Sequence, residues 1–360
     1  MSTLLDRIRP EVRAERPYTV AGAVNVENKL NQNECPFDVP QELKKELLDS
    51  FSRIPFNRYP TEQPHELVQA LSDSLDHPTD GILVGHGSNE LTHTLGLCLM
   101  TGGTNVVLPR PMFALYESVA RMYGANVLGV APNQDLSFDT DRILELCASD
   151  DVNVTVVTTP NNPTGLTVPF DKLEDICDRA KGFVVIDEAY HEFNSAYSAA
   201  SLLDKFSNVI LIRTLSKAFG LAGLRVGYMV GDPQVIQEFL KARLPFMVDR
   251  FSEHVAVEFL KRPEMIADRV RTLKAGILDI TRRLESMPDV TVVPSQTNFV
   301  LFKLDMPAEE MAAVFTRHQV LVRNMAGYPE LKGYLRVTTG TESENKAFFR
   351  ALKFVRGHSD

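Results

Sequence analysis

Over the first two-thirds of the chain, short β-branched apolar runs alternate with stretches of helical periodicity. The runs are GILVG from 81, NVVLP from 105, NVTVVTTP from 153, FVVID from 183, NVILIRT from 208 and RVGYMVG from 225. They are apolar almost throughout rather than at every second position, which predicts strands buried on both faces. Their alternation with helical segments predicts an α/β fold: a large domain with a mostly parallel sheet covered by helices. In such sheets ligands sit at the carboxyl ends of the strands, so the loops that follow these runs are where chemistry is to be sought.

Beyond residue 231 the pattern changes. A long helical stretch, MIADRVRTLKAGILDITRRLESM, starts at 265, and strand-like VTVVP, NFVLFKL and YLRVTTG follow at 290, 298 and 334. Helical AEEMAAVFTRH and ESENKAFFRALKFV lie between and after them, so a smaller α/β C-terminal domain is predicted. The expected division is an N-terminal arm at 1–35, a large cofactor-binding domain at 36–245 and a small domain at 246–360. The arm has no core-forming pattern of its own and is expected to wrap onto the rest of the chain or onto a partner chain.

The length of 360 residues suits this two-domain arrangement. Hydrophobic residues at 44% and charged residues at 24% set aside a disordered chain, and no apolar run is long enough to span a bilayer. The charged start, without an apolar signal core, reads as cytoplasmic. A net charge of -9 argues against a nucleic-acid partner and means that any anionic ligand must be met by a local group of arginines. Cys35, Cys98, Cys147 and Cys177 are scattered, so neither a disulfide framework nor a metal site is expected.

The segment TLSKAFGLAGLR, residues 214 to 225, carries the sharpest chemistry. The amine of Lys217 can hold an aldehyde cofactor as a Schiff base, while Ser216 and Arg225 can grip a phosphate on the same molecule. Pyridoxal 5'-phosphate (PLP) has both groups. FVVID ends in Asp187, which by itself reads as a helix cap; beside a Schiff-base lysine it has a second use, keeping the cofactor's pyridine nitrogen protonated. Tyr190 is then a donor to the phenolic oxygen of that ring. The turn-rich loop TTPNNPTG, 158 to 165, puts the amide of Asn162 within reach of the same oxygen. GHGSNE, 85 to 90, follows a predicted strand and opens a helix, so Ser88 and Asn89 are candidates for the phosphate. A dinucleotide site is a weak rival there, because Glu90 replaces the third glycine of G-x-G-x-x-G. Phe113 is either plain core or a ring stacked on the cofactor.

Together TTPNNPTG, VVIDEAY, TLSKAFGLAGLRVGY and the arginine of YLRVTTGT resemble the fold-type I PLP-dependent aminotransferases over nearly the whole chain. Within that superfamily LNQNECP at 30, NRYPTE at 57, GSNEL at 87, PSQTNFVLF at 294 and VLVRNMAGYPELKGYLRVTTGT at 320 resemble the histidinol-phosphate aminotransferases. The resemblance implies that Lys217 binds the cofactor and serves as the catalytic base, that Asp187 pairs with the ring nitrogen, and that Asn162 and Tyr190 contact the phenolic oxygen. It implies that Ser88, Asn89, Ser216, Arg225 and, in addition, Thr214 hold the phosphate. Tyr59 resembles a tyrosine that reaches the phosphate in the neighbouring subunit, which implies a homodimer with shared active sites. Arg336 matches the arginine that binds the substrate's carboxylate or phosphate ester, and Arg323, Tyr18 and Asn33 match positions on the substrate side.

The reaction so implied is transamination between an amino donor and a 2-oxo acid, with L-histidinol phosphate and 2-oxoglutarate as the pair. An aminotransferase for aromatic or other amino acids is the nearer alternative and a decarboxylase of a phosphorylated amino acid the more distant one. Asn33-Glu34-Cys35-Pro36, GSNE at 87 and above all LPFMVDRF at 244 depart from the common pattern. Met247, Asp249 and Arg250 are therefore placed to alter the substrate side.

Overall fold

The computed structural model describes residues 4–17, 26–194 and 196–357. After a short strand β1 (Asn28–Lys29) come β2 (Ile82–Gly85), β3 (Asn105–Pro109), β4 (Asn126–Val130), β5 (Val152–Thr158), β6 (Phe183–Asp187), β7 (Val209–Thr214) and β8 (Gly227–Gly231). The last seven form one sheet in the order β2-β8-β7-β6-β5-β3-β4. All of its neighbouring pairs are parallel except those of β8, which runs antiparallel to β2 and to β7.

The apolar runs form strands because both faces of the sheet are covered. Val184 and Ile186 enter the core on one face while Val185 enters the core on the other, and Leu211 alternates in the same way with Ile210 and Ile212. Each fully buried side chain of this kind contributes roughly 1.5–3 kcal/mol. The edge strand β4 is the one the sequence pattern does not mark: only Val130 of its residues is buried, so NVLGV needs no continuous apolar run.

The reversal of β8 shapes the site. Its first residue, Gly227, pairs with Gly85 at the end of β2 and with Thr214 at the end of β7. Arg225, two residues before β8, is thereby delivered to the same rim as the carboxyl ends of the parallel strands.

The C-terminal part contributes β9 (Thr291–Val293), β10 (Phe299–Lys303), β11 (Val320–Leu321), β12 (Arg323–Asn324) and β13 (Leu335–Thr338). Four of them form an antiparallel sheet, β12-β13-β10-β9. Its core centres on Phe302, Phe315 and Phe348, with the last two rings stacked at 5.2 Å. The final helix, Glu342–Val355, starts with a capping box between Thr341 and Glu344, which satisfies two amides at the helix start.

The helix Pro263–Glu285 joins the two parts: Ile266 and Leu273 lie in the large core, Ile277, Ile280 and Leu284 in the small one. The division placed at 245 and 246 falls ahead of the helix Arg250–Leu260, whose Val255, Ala256 and Phe259 are buried in the large core. The N-terminal segment touches both parts: Arg9 donates to the Met122 carbonyl at 2.8 Å on the large part, and β1 pairs in parallel with β11 through Asn28↔Val320 and Lys29↔Leu321 on the small one. Among the described residues no helix is long and apolar enough to cross a membrane, and no cluster of three metal-ligating side chains occurs.

Candidate active site

Asp187 is the last residue of β6 and is 8% exposed. Its Oδ2 accepts a hydrogen bond from the Tyr116 hydroxyl at 2.8 Å and its Oδ1 accepts from the Ala189 N–H at 2.9 Å. No side chain caps the helical turn His191–Phe193 that follows, so helix capping is not what holds this carboxylate. Burial raises the Asp187 pKa above the usual carboxylate range, against the opposing pull of Tyr116, Ala189 and Lys217.

Lys217 follows β7, and its Nζ donates to the Gln32 carbonyl at 3.2 Å. The amine lies 5.9 Å from the centre of the Tyr190 ring. Desolvation, with help from the charges of Arg336 and Arg225 and against those of Glu34 and Asp187, lowers its pKa to about 8. A lysine of this kind reaches its neutral, nucleophilic form near physiological pH.

At the rim formed by Gly85, Gly227 and Thr214, the helix Ser88–Leu99 begins. Gly87 caps it with φ 78° and no side chain, leaving the first amides open to a ligand. The packing here requires glycine: a Cβ on Gly87 would overlap Arg225 Nη2, and one on Gly227 would overlap the backbone nitrogen of Ser88. Arg225 itself is left-handed, with φ 54°, and its Nη1 reaches Ser216 Oγ at 3.5 Å. The Thr214 hydroxyl donates to Ser216 Oγ at 2.9 Å. Ser88, Thr214, Ser216 and Arg225 thus converge on one cradle of hydroxyls, amides and a guanidinium, with Asn89 exposed on the first helical turn. This donor set fits a phosphate monoester, and with Lys217 and Asp187 beside it the site fits PLP.

On the opposite wall, Arg336 of β13 is 7% exposed, donates to Asn162 Oδ1 and to the Asn31 carbonyl, and lies 5.0 Å from the Phe299 ring centre. Arg323 of β12 is half-buried and directly opposite Arg336 in the strand register, so the two guanidinium side chains leave the same face of the sheet. Asn33, at φ 55°, donates its Nδ2 to the Tyr190 hydroxyl at 2.8 Å and its backbone N–H to Thr338 Oγ1 at 3.0 Å. The N-terminal segment is therefore stretched across the cleft between the two sheets.

Asn162 meets Arg336, and the group that meets the Tyr190 hydroxyl is Asn33. Phe113 is half-buried against the core that contains Tyr116 and the helix Ser88–Leu99. Tyr59 is 80% exposed and stacks on Phe246 at 5.0 Å, on the surface of its own chain. Tyr18 lies outside the described residues. In LPFMVDRF, Asp249 accepts from the amides of Phe251 and Ser252, so its carboxylate caps the helix Arg250–Leu260.

Sequence reasoning passed over three features of the site. Tyr116, on Asp187, reads in PMFALY as an ordinary core aromatic. Thr338 and the buried pair of Glu188 with Arg213, whose Nη2–Oε2 distance is 2.6 Å, carry no local signal either. Only Glu188 and Arg213, each adjoining a predicted site residue, had a position that invited the question.

The sequence matches the family described as aminotransferase class I and II over residues 27–352. It is 36% identical over 346 residues to a histidinol-phosphate aminotransferase of Chlorobaculum tepidum, covering 96% of this chain and 99% of that one. It is 35% identical over 353 residues to a protein of the same name from Chlorobium phaeovibrioides, covering 97% of each. In fold it is similar to the crystal structure of histidinol-phosphate aminotransferase from Sinorhizobium meliloti in complex with pyridoxal-5'-phosphate, with a TM-score of 0.86, 23% identity and 97% of each chain covered. Together with a lysine, a buried aspartate and a phosphate cradle at one strand rim, these likenesses show that the chain belongs to the class I and II aminotransferases and is a PLP-dependent enzyme.

Proposed function

We propose that this aminotransferase exchanges an amino group between L-histidinol phosphate and 2-oxoglutarate, giving imidazole-acetol phosphate and L-glutamate. The observation that carries the reading is the facing pair Arg323 and Arg336 on the substrate wall. Two adjacent guanidinium groups in a chain of net charge -9 suit a doubly charged phosphate ester in one half-reaction and a dicarboxylate in the other. The names of the relatives point the same way.

When bound, PLP supplies an electron-withdrawing ring that makes the proton on the substrate's α-carbon removable. The residues of the chain do the rest. Ser88, Asn89, Thr214, Ser216 and Arg225 would hold the cofactor's phosphate, and Phe113 would lie against its ring. Asp187 would keep the proton on the ring nitrogen, while the Tyr190 hydroxyl and the Asn162 amide N–H, whose oxygen accepts from Arg336, would donate to the phenolic oxygen. Lys217 Nζ would take up and release the α-proton, a role served by its depressed pKa of about 8. Arg336 and Arg323 orient the substrate's anionic groups so that the α-proton faces this amine, with Asn33 and Tyr18 on the same side. The exposed Tyr59 reaches the phosphate of a second protomer, so the working unit is a homodimer.

The test is a single-turnover reaction of the PLP-loaded protein with L-histidinol phosphate, followed by cofactor absorbance. Rapid conversion to the aminated cofactor at low substrate is the expected result. Conversion by glutamate and phenylalanine but not by L-histidinol phosphate would replace this reading with an aromatic aminotransferase, and release of carbon dioxide would replace it with a decarboxylase. Light scattering that gives a fully active monomer would remove Tyr59 from the site.

A further inference from the structure

The Asp187 carboxylate is held by two donors of different kinds. One is the backbone N–H of Ala189, supplied by the turn itself. The other is the hydroxyl of Tyr116, 71 residues away in sequence and 0% exposed. A phenol that donates to a carboxylate makes a charge-assisted bond, stronger than a neutral one. Burial and the charge of Asp187 push ionisation of Tyr116 well above its usual range, so its one proton is committed to Asp187.

Behind Tyr116 stands Thr92, 2% exposed, whose hydroxyl donates to the Ser88 carbonyl at 3.1 Å and neighbours the Tyr116 oxygen. Thr92 belongs to the second turn of the helix Ser88–Leu99, whose first turn forms the phosphate cradle. Thr92 and Tyr116 therefore lie between the cradle and Asp187. The remaining charges that act on the carboxylate are Glu188, its neighbour in the chain, and Lys217 from the loop after β7.

We propose that Tyr116, supported by Thr92, is a positioning residue that aims the Asp187 carboxylate at the cofactor's ring nitrogen and keeps its oxygens as acceptors. The inference rests on the role given above to Asp187. A carboxylate has about four lone-pair sites, and the two fixed donors hold it in one orientation while leaving about two sites free for the ring N–H. Without the phenol, Asp187 holds a proton more tightly and competes with the ring nitrogen for it. A merely structural Tyr116, a core aromatic with its hydroxyl satisfied, makes no such difference.

The measurement is the 15N resonance of the ring nitrogen in holoenzyme loaded with 15N-labelled PLP. Tyr116→Phe removes the hydroxyl and conserves the ring volume, Thr92→Val removes the support, and Asp187→Asn defines the unprotonated limit. The expected result is a resonance in Tyr116→Phe displaced toward that limit, a smaller displacement in Thr92→Val, and kcat lowered about tenfold with KM changed less than about twofold, as loss of one charge-assisted bond predicts. A Tyr116→Phe resonance identical to that of the parent protein overturns the proposal, whatever happens to kcat or to the melting temperature. If the parent's own resonance coincides with that of Asp187→Asn, the failure lies with the role of Asp187 itself and the proposal falls with it.

Discussion

Replacement of Arg213 by Met tests the ionic pair that ties the ends of β6 and β7 together below the site. Arg213 Nε and Nη2 both donate to Glu188 Oε2, at 3.0 and 2.6 Å, and the two side chains are only 5% and 1% exposed. Nη2 also donates to Ser198 Oγ at 2.6 Å, and Glu188 Oε1 accepts from the Ala199 N–H at 2.6 Å. Removing one partner of such a pair leaves a buried charge uncompensated, which costs about 3–5 kcal/mol. With an unfolding entropy of about 2.1 cal/mol/K per residue near 60 °C, 360 residues convert 4 kcal/mol into a fall in Tm of about 5 °C. The double variant Glu188→Leu/Arg213→Met removes both charges and is expected to recover most of the loss, because an apolar pair of similar volume is close to neutral. Urea unfolding of the apoprotein for the parent, both single variants and the double variant gives the coupling energy directly. A loss below about 1 kcal/mol for Arg213→Met, or additive losses in the double variant, would refute the argument that an unpaired buried charge dominates.

Three other measurements follow from the geometry. Because the Lys217 pKa is lowered to about 8, mainly by desolvation, its neutral fraction grows as pH rises through that value; the rate of PLP capture by the apoprotein should rise about tenfold per pH unit below 8 and level off above it, and a rise continuing to pH 10 would contradict the lowered pKa. Glu192 is half-buried, with its carboxyl oxygens shielded from water and lacking a hydrogen-bond partner among the described residues beyond the His191 ring nitrogen 3.4 Å away, and desolvation raises its pKa to about 8. The folded state then binds a proton more tightly than the unfolded state, so stability is complete below the ordinary carboxylate range and declines as pH rises toward 8; Glu192→Gln should gain a few kcal/mol at pH 8 and nothing at pH 4 in urea titrations. Gly227→Ala would drive a Cβ into the backbone nitrogen of Ser88; a strain of about 1–3 kcal/mol predicts roughly tenfold or greater weakening of PLP binding by equilibrium dialysis, and unchanged affinity would show that the helix start yields freely.

The sequence by itself determined the sheet and most of the cofactor chemistry, because both are written in local patterns. Apolar runs mark strands with two buried faces, and Asp187, Ser216 and Lys217 occupy the residues at or just beyond the ends of such strands. The tertiary structure decided what those side chains meet. Reversal of β8 delivers Arg225 to the rim, although RVGYMVG reads like any other buried strand. Asn33 reaches Tyr190 across 157 positions, and Arg336 reaches Asn162 across 174. The two-residue strand β12 sets Arg323 opposite Arg336 of β13, and the exposed edge strand β4 carries too few buried residues to be read as a strand. The physical reason is the same in each case. Periodicity records how far each position is withdrawn from water, a property of the residue and its near neighbours. Strand order, chain direction and hydrogen bonds between distant side chains depend on which surfaces come into contact, and only the folded chain settles that.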